Sequence, residues 1–278
     1  MNTKPFFVQL VIPFCLAFIV CACGGNGDKT ESKEQAASNA EVEQSAVENR
    51  ANPPMKYDVK KRIIVIFDSS KSIPEQSIDR ALNAVKRIAN EMDDKSQLVI
   101  FTTNKSTVQP PLVNIKKEVP INSRDRRIYQ ETWNKDIDKI TSGIRNHIQE
   151  QEEATCLVSA MKSVKNYLNG ATSAQQTYLI FISDMLECCD GICIEKKAGI
   201  PNSTKKVEKL DLSYYALDDL IPASNSYVYQ LSENLKEQYL KVIDTEEFRQ
   251  FWKTVFQKFG YEAAPNFTTS LDKFIEKI

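Results

Sequence analysis

Histidine and glycine are scarce in this chain of 278 residues, and their scarcity excludes several classes of function. The single histidine, His147, cannot supply a metal site with several imidazole ligands, and any Ser-His-Asp or Cys-His mechanism would have to use that one side chain. Three of the eight glycines lie together at Gly24, Gly25 and Gly27. The other five are scattered, so no glycine-rich phosphate-binding loop of the usual spacing can form.

An excess of charge of one sign is also missing. Lysine and arginine together number 36 and aspartate and glutamate 37, which gives a net charge of −1. No global attraction therefore favours nucleic acid or an anionic membrane as the main partner, although a local basic face is left open. His147 lies among polar residues of a predicted helix, which indicates a solvated surface side chain rather than a catalytic one.

The first 22 residues predict an export signal. Their apolar run, over residues 6–22, is shorter than the roughly 20 residues that span a bilayer as a helix. The run ends in Val20-Cys21-Ala22-Cys23-Gly24, which resembles the lipobox of bacterial lipoproteins. The resemblance implies cleavage before Cys23, lipidation of Cys23 and anchoring to the cell envelope, with Gly24 favouring the outer over the inner membrane. A plain secretory peptide or an uncleaved anchor is the alternative.

Residues 24–56 contain no aromatic side chain and are rich in Gly, Ser, Asn, Glu, Gln and Ala. Such a segment buries too little apolar surface to offset its chain entropy, so we predict a disordered polar tether. The predicted organisation is therefore a signal peptide over 1–22, the lipidated cysteine and tether over 23–56, and one folded domain over 57–278.

The folded part alternates buried strands with amphipathic helices. Continuous apolar runs predict strands with both faces covered, and helical periodicity fills the intervals. We expect an α/β fold with an open, doubly wound, mostly parallel sheet between helix layers, and a polar edge strand near residues 112–119. The predicted central strands are Ile63–Phe67, Leu98–Phe101, Tyr178–Ile182 and Ser226–Leu231, and the predicted helices cover about 74–92, 126–153, 157–168 and 246–259.

Hydroxyl and carboxylate side chains follow the predicted strands. Asp68, Ser70 and Ser72 come directly after the first strand, Thr155 precedes a helix, and Asp184 ends the third strand. Open α/β sheets bind ligands at the carboxyl ends of their strands. Because these residues offer only hard oxygen ligands, they predict a divalent cation, Mg²⁺ first and Mn²⁺ or Ca²⁺ as alternatives.

This pattern resembles a von Willebrand factor type A domain, whose metal-ion-dependent adhesion site uses a D-x-S-x-S motif, a threonine and an aspartate. The resemblance implies that Asp68, Ser70, Ser72, Thr155 and Asp184 hold the metal, and that one coordination position is open for a carboxylate of a protein partner. The chain departs from the pattern in two places. Glu153-Ala154 precedes the threonine where many members have Gly-Gly, and Met185 replaces the usual glycine after the aspartate.

Four cysteines remain in the predicted mature domain besides Cys23: Cys156, Cys188, Cys189 and Cys193. An even number in an exported domain favours disulfides. Pairing the two adjacent cysteines requires a strained ring, so Cys156 should bond Cys188 or Cys189, and Cys193 the other. One bridge would then join the threonine loop to the aspartate loop. A four-cysteine zinc site is the alternative, and the insertion over 187–223 is where we expect partner specificity.

These features predict a lipid-anchored binding module of the bacterial cell envelope that is not an enzyme. Two alternatives stay open. One is a structural subunit of an envelope assembly with a degenerate metal site. The other is a Mg²⁺-dependent phosphohydrolase resembling the haloacid dehalogenases, in which an aspartate attacks phosphorus and a second aspartate two residues later transfers the proton. Ser70 occupies that second position here, which argues against the phosphohydrolase.

Overall fold

A computed structural model of the protein describes residues 58–70, 73–103, 107–149, 155–233, 235–270, 272 and 275–276. The predicted signal peptide, Cys23 and the tether lie outside these residues, as do Ser72 and the Glu153-Ala154 pair. The strands of the described part are β1 (Val59–Phe67), β2 (Gln97–Thr102), β3 (Val113–Lys116), β4 (Ala174–Ser183), β5 (Cys188–Cys189), β6 (Ile192–Cys193), β7 (Ser226–Gln230) and β8 (Asn266–Thr268). The helices are α1 (Glu75–Glu91), α2 (Ser123–Gln149), α3 (Leu157–Gly170), α4 (Ile200–Glu208), α5 (Glu237–Ile243) and α6 (Glu246–Lys258).

Within the described residues, six strands form one sheet in the order β3-β2-β1-β4-β7-β8. Every neighbouring pair is parallel except β2 with β3, which is the antiparallel edge. The sequence of β1 explains its central position, because its residues from Ile63 to Phe67 are buried on both faces. β5 and β6 form a separate antiparallel hairpin.

Helices cover both faces of the sheet. Ile64 and Ile66 of β1 pack on one side with α3, α4, α5 and α6, whereas Ile63 and Val65 pack on the other side with α1 and α2. Successive side chains of a strand point to opposite faces, so each strand contributes to both cores. The predicted mostly parallel sheet between helix layers is confirmed.

Several element boundaries and some whole elements differ from the prediction. Helix α2 begins three residues earlier than expected, and α3 continues through Gly170 instead of ending at Leu168. The hairpin, α4 and α5 were not predicted, since the segments are short. Strand β8 was missed because its three residues lack a buried apolar pattern, Phe267 itself being exposed. Gly260 ends α6 with a left-handed φ of 89°, as its type and position predict.

The strand order reverses between β1 and β4. From β1 the chain builds the sheet outward to β2 and β3, and from β4 it builds in the opposite direction to β7 and β8. The loops that leave the carboxyl ends of β1 and β4 therefore part to opposite sides and leave a crevice, which is the usual ligand position in open α/β sheets. Asp68 and Asp184 follow these two strands directly.

Candidate metal centre

Asp68 is the first residue after β1, and polar groups from three segments fix its carboxylate. Oδ1 accepts hydrogen bonds from the Ser70 backbone N–H at 2.9 Å and from the Thr103 hydroxyl at 3.2 Å, and Oδ2 accepts one from the Ser183 hydroxyl at 2.5 Å. The Asp68 N–H donates to the Ile182 carbonyl at 2.9 Å, which continues the β1–β4 ladder by one bond. The side chain is 1% exposed.

Asp184 is the first residue after β4 and is fully buried. Its Oδ1 accepts the Leu186 backbone N–H at 2.9 Å, so the carboxylate also shapes its own loop. Met185, which lies between Asp184 and Leu186, has a φ of 65°, in the left-handed region that favours glycine. The Met185 carbonyl accepts the Trp252 indole N–H at 3.0 Å, and its N–H donates to the Ser183 hydroxyl at 2.7 Å. These two bonds hold a non-glycine residue in that conformation.

Thr155 is brought to the same edge by backbone contacts on both sides. The N–H of Cys156 donates to the Thr103 carbonyl at 2.5 Å, and the Cys188 N–H donates to the Thr155 carbonyl at 3.0 Å. Thr103 is also the residue whose hydroxyl contacts Asp68. Thr155 is therefore tied both to the loop after β2 and to the loop that follows Asp184.

Two disulfides brace these loops. One joins Cys156 to Cys189, and the other joins Cys188 to Cys193 across the β5–β6 hairpin. This is one of the two pairings that the sequence leaves open. The first bridge connects the residue after Thr155 to the segment after Asp184. Both bridges use the sulfur atoms that a four-cysteine zinc site would need.

Glu187 is a third buried carboxyl group at this edge of the sheet. Its Oε2 accepts the backbone N–H groups of Leu157 at 2.6 Å and Val158 at 3.4 Å, so it caps the first turn of α3. Cys156, the N-cap residue, makes no side-chain cap bond of its own. The position suits a carboxylate because the N-terminus of a helix carries partial positive charge.

Two of the buried carboxyl groups at this edge, Asp68 and Glu187, lack a cationic side chain as a partner among the described residues. Each of the two residues is 1% exposed. Burial raises the pKa of Asp68, although hydrogen bonds from Ser183, Ser70 and Thr103 offset part of the effect. Burial likewise raises the pKa of Glu187 well above its usual range, and the nearby Asp68 adds to it.

A cleft of about 350 Å³ opens beside Asp68. Ser69 and Ser70 line it, together with Ile73, Glu75, Ile78, Arg145 and Ile148. Ser69 is buried, and its hydroxyl has no hydrogen-bond partner among the described residues. An unsatisfied buried hydroxyl is costly, so a ligand that donates to it or accepts from it here would gain from the contact.

The structure brings four of the five predicted metal ligands to one edge of the sheet: Asp68, Ser70, Thr155 and Asp184. Ser72, the fifth, lies outside the described residues. Sequence reasoning missed Thr103, Ser183 and Glu187, which position the predicted ligands or the helix beside them. Of these three residues, only Ser183 could have been found from the sequence, because it is a hydroxyl residue immediately before Asp184 at the end of a buried strand.

His147 differs from its prediction as a solvated side chain. It is half-buried near the carboxyl end of β2, where its Nε2 lies 3.3 Å from the Thr102 hydroxyl. The last turns of α2 pack against the core through Ile144 and Ile148, which brings His147 to the sheet edge. The side chain therefore belongs to the surroundings of the site.

The donor set fits a hard divalent cation. Two carboxylates and two hydroxyls supply oxygen ligands only, which suits Mg²⁺, Mn²⁺ or Ca²⁺ and disfavours Zn²⁺ or copper. Elsewhere in the described residues, the ligand atoms of Cys188, Cys193 and Glu195 lie within 4.8 Å of one another. Both of those sulfurs form a disulfide, so they are not available as thiolate ligands.

Comparison with known proteins adds little. No model of a known protein family matches the chain, and no curated protein matches it significantly. Among solved structures, proximal thread matrix protein 1 from the mussel byssus is similar over 80% of this chain and 46% of its own, with 15% identity and a TM-score of 0.34. PilB minor pilin from Streptococcus sanguinis is similar over 81% of this chain and 61% of its own, with 10% identity and a TM-score of 0.41.

The chain thus spans less than two thirds of either solved protein. At these identities and TM-scores, neither likeness establishes a shared fold or function. In the described part of the chain, none of the helices combines the length and the hydrophobicity needed to cross a membrane.

Proposed function

We propose that this chain is a lipid-anchored binding module of the bacterial cell envelope, of the von Willebrand factor type A kind, that captures a protein partner through a divalent cation. The cation, Mg²⁺ first, would be held by Asp68, Ser70, Thr155 and Asp184, together with Ser72 of the same motif. The module is proposed to bind rather than to catalyse.

One observation carries this proposal. Two buried acidic residues, Asp68 and Asp184, directly follow the two strands between which the strand order reverses, and the described residues pair no lysine or arginine with Asp68. Burying a carboxylate is expensive unless a positive charge or sufficient hydrogen bonds compensate it. A divalent cation supplies that charge, and it also attracts an acidic group of a partner.

The surrounding residues have supporting roles in this proposal. Thr103 and Ser183 each donate to Asp68, which fixes the direction of its carboxylate. Glu187 holds the first turn of α3 and thereby the position of Thr155, two residues before it. Groups that orient metal ligands commonly affect metal affinity by about 10- to 100-fold. The cleft lined by Ser69 and Ser70 gives a partner side chain a way to the site.

The first test measures thermal unfolding with Mg²⁺ and with EDTA, for the native chain, for Asp68→Asn and for the control Asp219→Asn, which changes an exposed carboxylate. Cation at about 100 times its dissociation constant should stabilise the native chain and the control by about 2.7 kcal/mol. Asp68→Asn should lose this gain. Equal stabilisation of Asp68→Asn, or no stabilisation by Mg²⁺, Mn²⁺ or Ca²⁺, would exclude the metal centre.

The second test concerns the partner. Envelope extract is passed over the immobilised native chain and over Asp68→Asn, each with Mg²⁺ and with EDTA. Proteins retained only by the native chain in Mg²⁺ would support capture through the cation. Retention that is unchanged by EDTA and by Asp68→Asn would refute that mechanism, and would favour a structural subunit of an envelope assembly.

A further inference from the structure

A second surface lies at the opposite end of the sheet, around the start of α2. We call it the arginine–isoleucine surface, and it consists of Ile121, Arg124, Arg126, Arg127 and Ile128. Ile121 is 93% exposed and Ile128 is 53% exposed, which is unusual for large apolar side chains. The three arginines are exposed as well. Two large apolar and three cationic side chains are therefore exposed within eight residues.

The arginine–isoleucine surface faces away from the core. Arg124, Arg127 and Ile128 are spaced i, i+3 and i+4, so they share one face of the helix, whereas Arg126, at i+2, projects from another side of this exposed first turn. The opposite face carries Tyr129 and Trp133, whose rings stack at 6.1 Å, and Trp133 packs in the core. The exposure of this face does not result from poor packing of the helix, because the opposite side of the helix is already packed against the core.

The surface is positively charged and its guanidinium groups are accessible. In the described part of the chain, no carboxylate forms an ion pair with Arg124, Arg126 or Arg127. Arg126 donates through Nε to the Pro120 carbonyl at 2.8 Å, and its remaining donors stay at the surface. Asp125 is the one acid between residues 121 and 128, so this segment carries an excess of two positive charges. The carboxylates of Asp94 and Glu118 lie near Tyr129, outside the segment.

Hydrogen bonds place this surface at the amino ends of the parallel strands. The Val119 N–H donates to Asp94 Oδ1 at 2.7 Å, in the turn that precedes β2. The Lys95 carbonyl in the same turn accepts the Lys60 N–H at 3.0 Å, at the start of β1. The preceding chain, from Cys23 onward, therefore joins the domain at this end. The candidate metal centre lies at the other end of β1, nine residues or about 30 Å away.

We infer that the arginine–isoleucine surface docks on the anionic headgroups of the membrane in which the chain is anchored. The inference rests on the proposed lipid anchor for the membrane's proximity. A lipid on Cys23 would bring the amino end of β1 toward the bilayer, because the chain enters the domain at that end. Each arginine near an anionic surface raises binding about fivefold, and exposed isoleucines add apolar contact with the interface.

Docking at this end gives the domain a fixed orientation. The carboxyl ends of β1 and β4 then point away from the bilayer, and the metal centre and its cleft face the partner. A lipid anchor alone leaves the domain free to rotate, with the site directed toward the membrane for part of the time. By fixing the orientation of the domain, the arginine–isoleucine surface would keep the metal centre directed toward a partner.

The test uses residues 23–278, which begin at the predicted cleavage site, with Cys23→Ser, so that no lipid contributes to binding. Sedimentation with vesicles compares phosphatidylcholine alone with phosphatidylcholine containing phosphatidylglycerol, at low and at physiological salt. We expect binding to the phosphatidylglycerol vesicles that weakens with salt, and a loss of about 30-fold for Arg124→Gln/Arg127→Gln. Ile121→Ser/Ile128→Ser should weaken binding at both salt concentrations.

The matched control, Lys135→Gln/Lys139→Gln, removes the same charge from α2 farther along the helix and should bind like the parent chain. The inference is overturned if the parent chain does not bind phosphatidylglycerol vesicles, or if the arginine variant and the lysine control lose binding equally. Failure of the proposed function gives a different result, because Asp68→Asn should bind vesicles normally and Arg124→Gln/Arg127→Gln should keep its stabilisation by Mg²⁺. Since the chain tested carries no lipid, the lipidation of Cys23 is decided separately, by the mass of the N-terminal peptide.

Discussion

Removing the Cys156–Cys189 bridge tests whether the disulfide holds the candidate metal centre together. The bridge joins residues separated by 33 positions. In the chain-entropy model, a cross-link closing a loop of this size stabilises the fold by about 4 kcal/mol, whereas the five-residue loop between Cys188 and Cys193 corresponds to about 2 kcal/mol. The contribution of the Cys156–Cys189 bridge is a large fraction of the free energy of unfolding of a typical domain, which is about 5 to 15 kcal/mol.

The bridge should affect the cation as well as the fold. It connects the residue after Thr155 to the segment after Asp184, two of the proposed ligands. Loss of such support typically weakens metal binding by about 10- to 100-fold. The Cys188–Cys193 bridge closes the hairpin alone, so its removal should leave cation affinity within about threefold of the native value, because no proposed ligand lies inside its loop.

The assay compares the native chain with Cys156→Ser/Cys189→Ser and with the control Cys188→Ser/Cys193→Ser. Urea unfolding in EDTA measures the free energy of unfolding, and calorimetric titration with Mg²⁺ measures affinity. The reasoning predicts a larger loss of both quantities in the first variant. It is refuted if the two variants lose stability equally and retain the same affinity, or if the native exported protein has free thiols.

Two further predictions concern groups beside the site. Because burial raises the pKa of Glu187, its protonated form stabilises the fold, fully so below the unfolded-state pKa near 4.3. In EDTA the free energy of unfolding should then fall by about 1.4 kcal/mol per pH unit as the pH rises toward the folded-state pKa. Glu187→Gln keeps an acceptor for the Leu157 N–H and should flatten this slope in urea titrations at several pH values; a slope equal to the native one would contradict the assignment. Trp252→Phe leaves the Met185 carbonyl without its donor and should cost about 1 to 3 kcal/mol in urea unfolding. Trp133→Phe is the matched control, since that indole N–H has no partner in the described structure, and an equal cost for both would show that the hydrogen bond is unimportant.

The sequence alone predicts those residues of the candidate site that directly follow strands. Asp68 and Asp184 stand directly after continuous apolar runs, and parallel strands bring such positions to one edge. Thr103 was missed because its contact with Asp68 depends on β2 lying beside β1, which no local pattern of that loop reveals. Glu187 was missed for a similar reason, since it caps a helix that starts 30 residues earlier.

The arginine–isoleucine surface, too, could be predicted from the sequence only in part. The sequence places Arg124, Arg127 and Ile128 at helical spacing, but the prediction began α2 at residue 126 and so did not place Arg124 in the helix. Exposure of Ile121 depends on how the segment after β3 crosses to α2, and its position at the amino ends of the strands depends on the antiparallel pairing of β3.

The sequence by itself determined the types and order of the main elements, the oxygen-rich character of the candidate site and the two permitted disulfide pairings. These properties follow from local periodicity, residue chemistry and the short reach of adjacent cysteines. Only the tertiary structure decided which cysteine pairs with Cys156, which side chains orient Asp68, and which surface lies opposite the site. Those outcomes depend on strand order and on contacts between residues far apart in the chain, where local sequence carries no information.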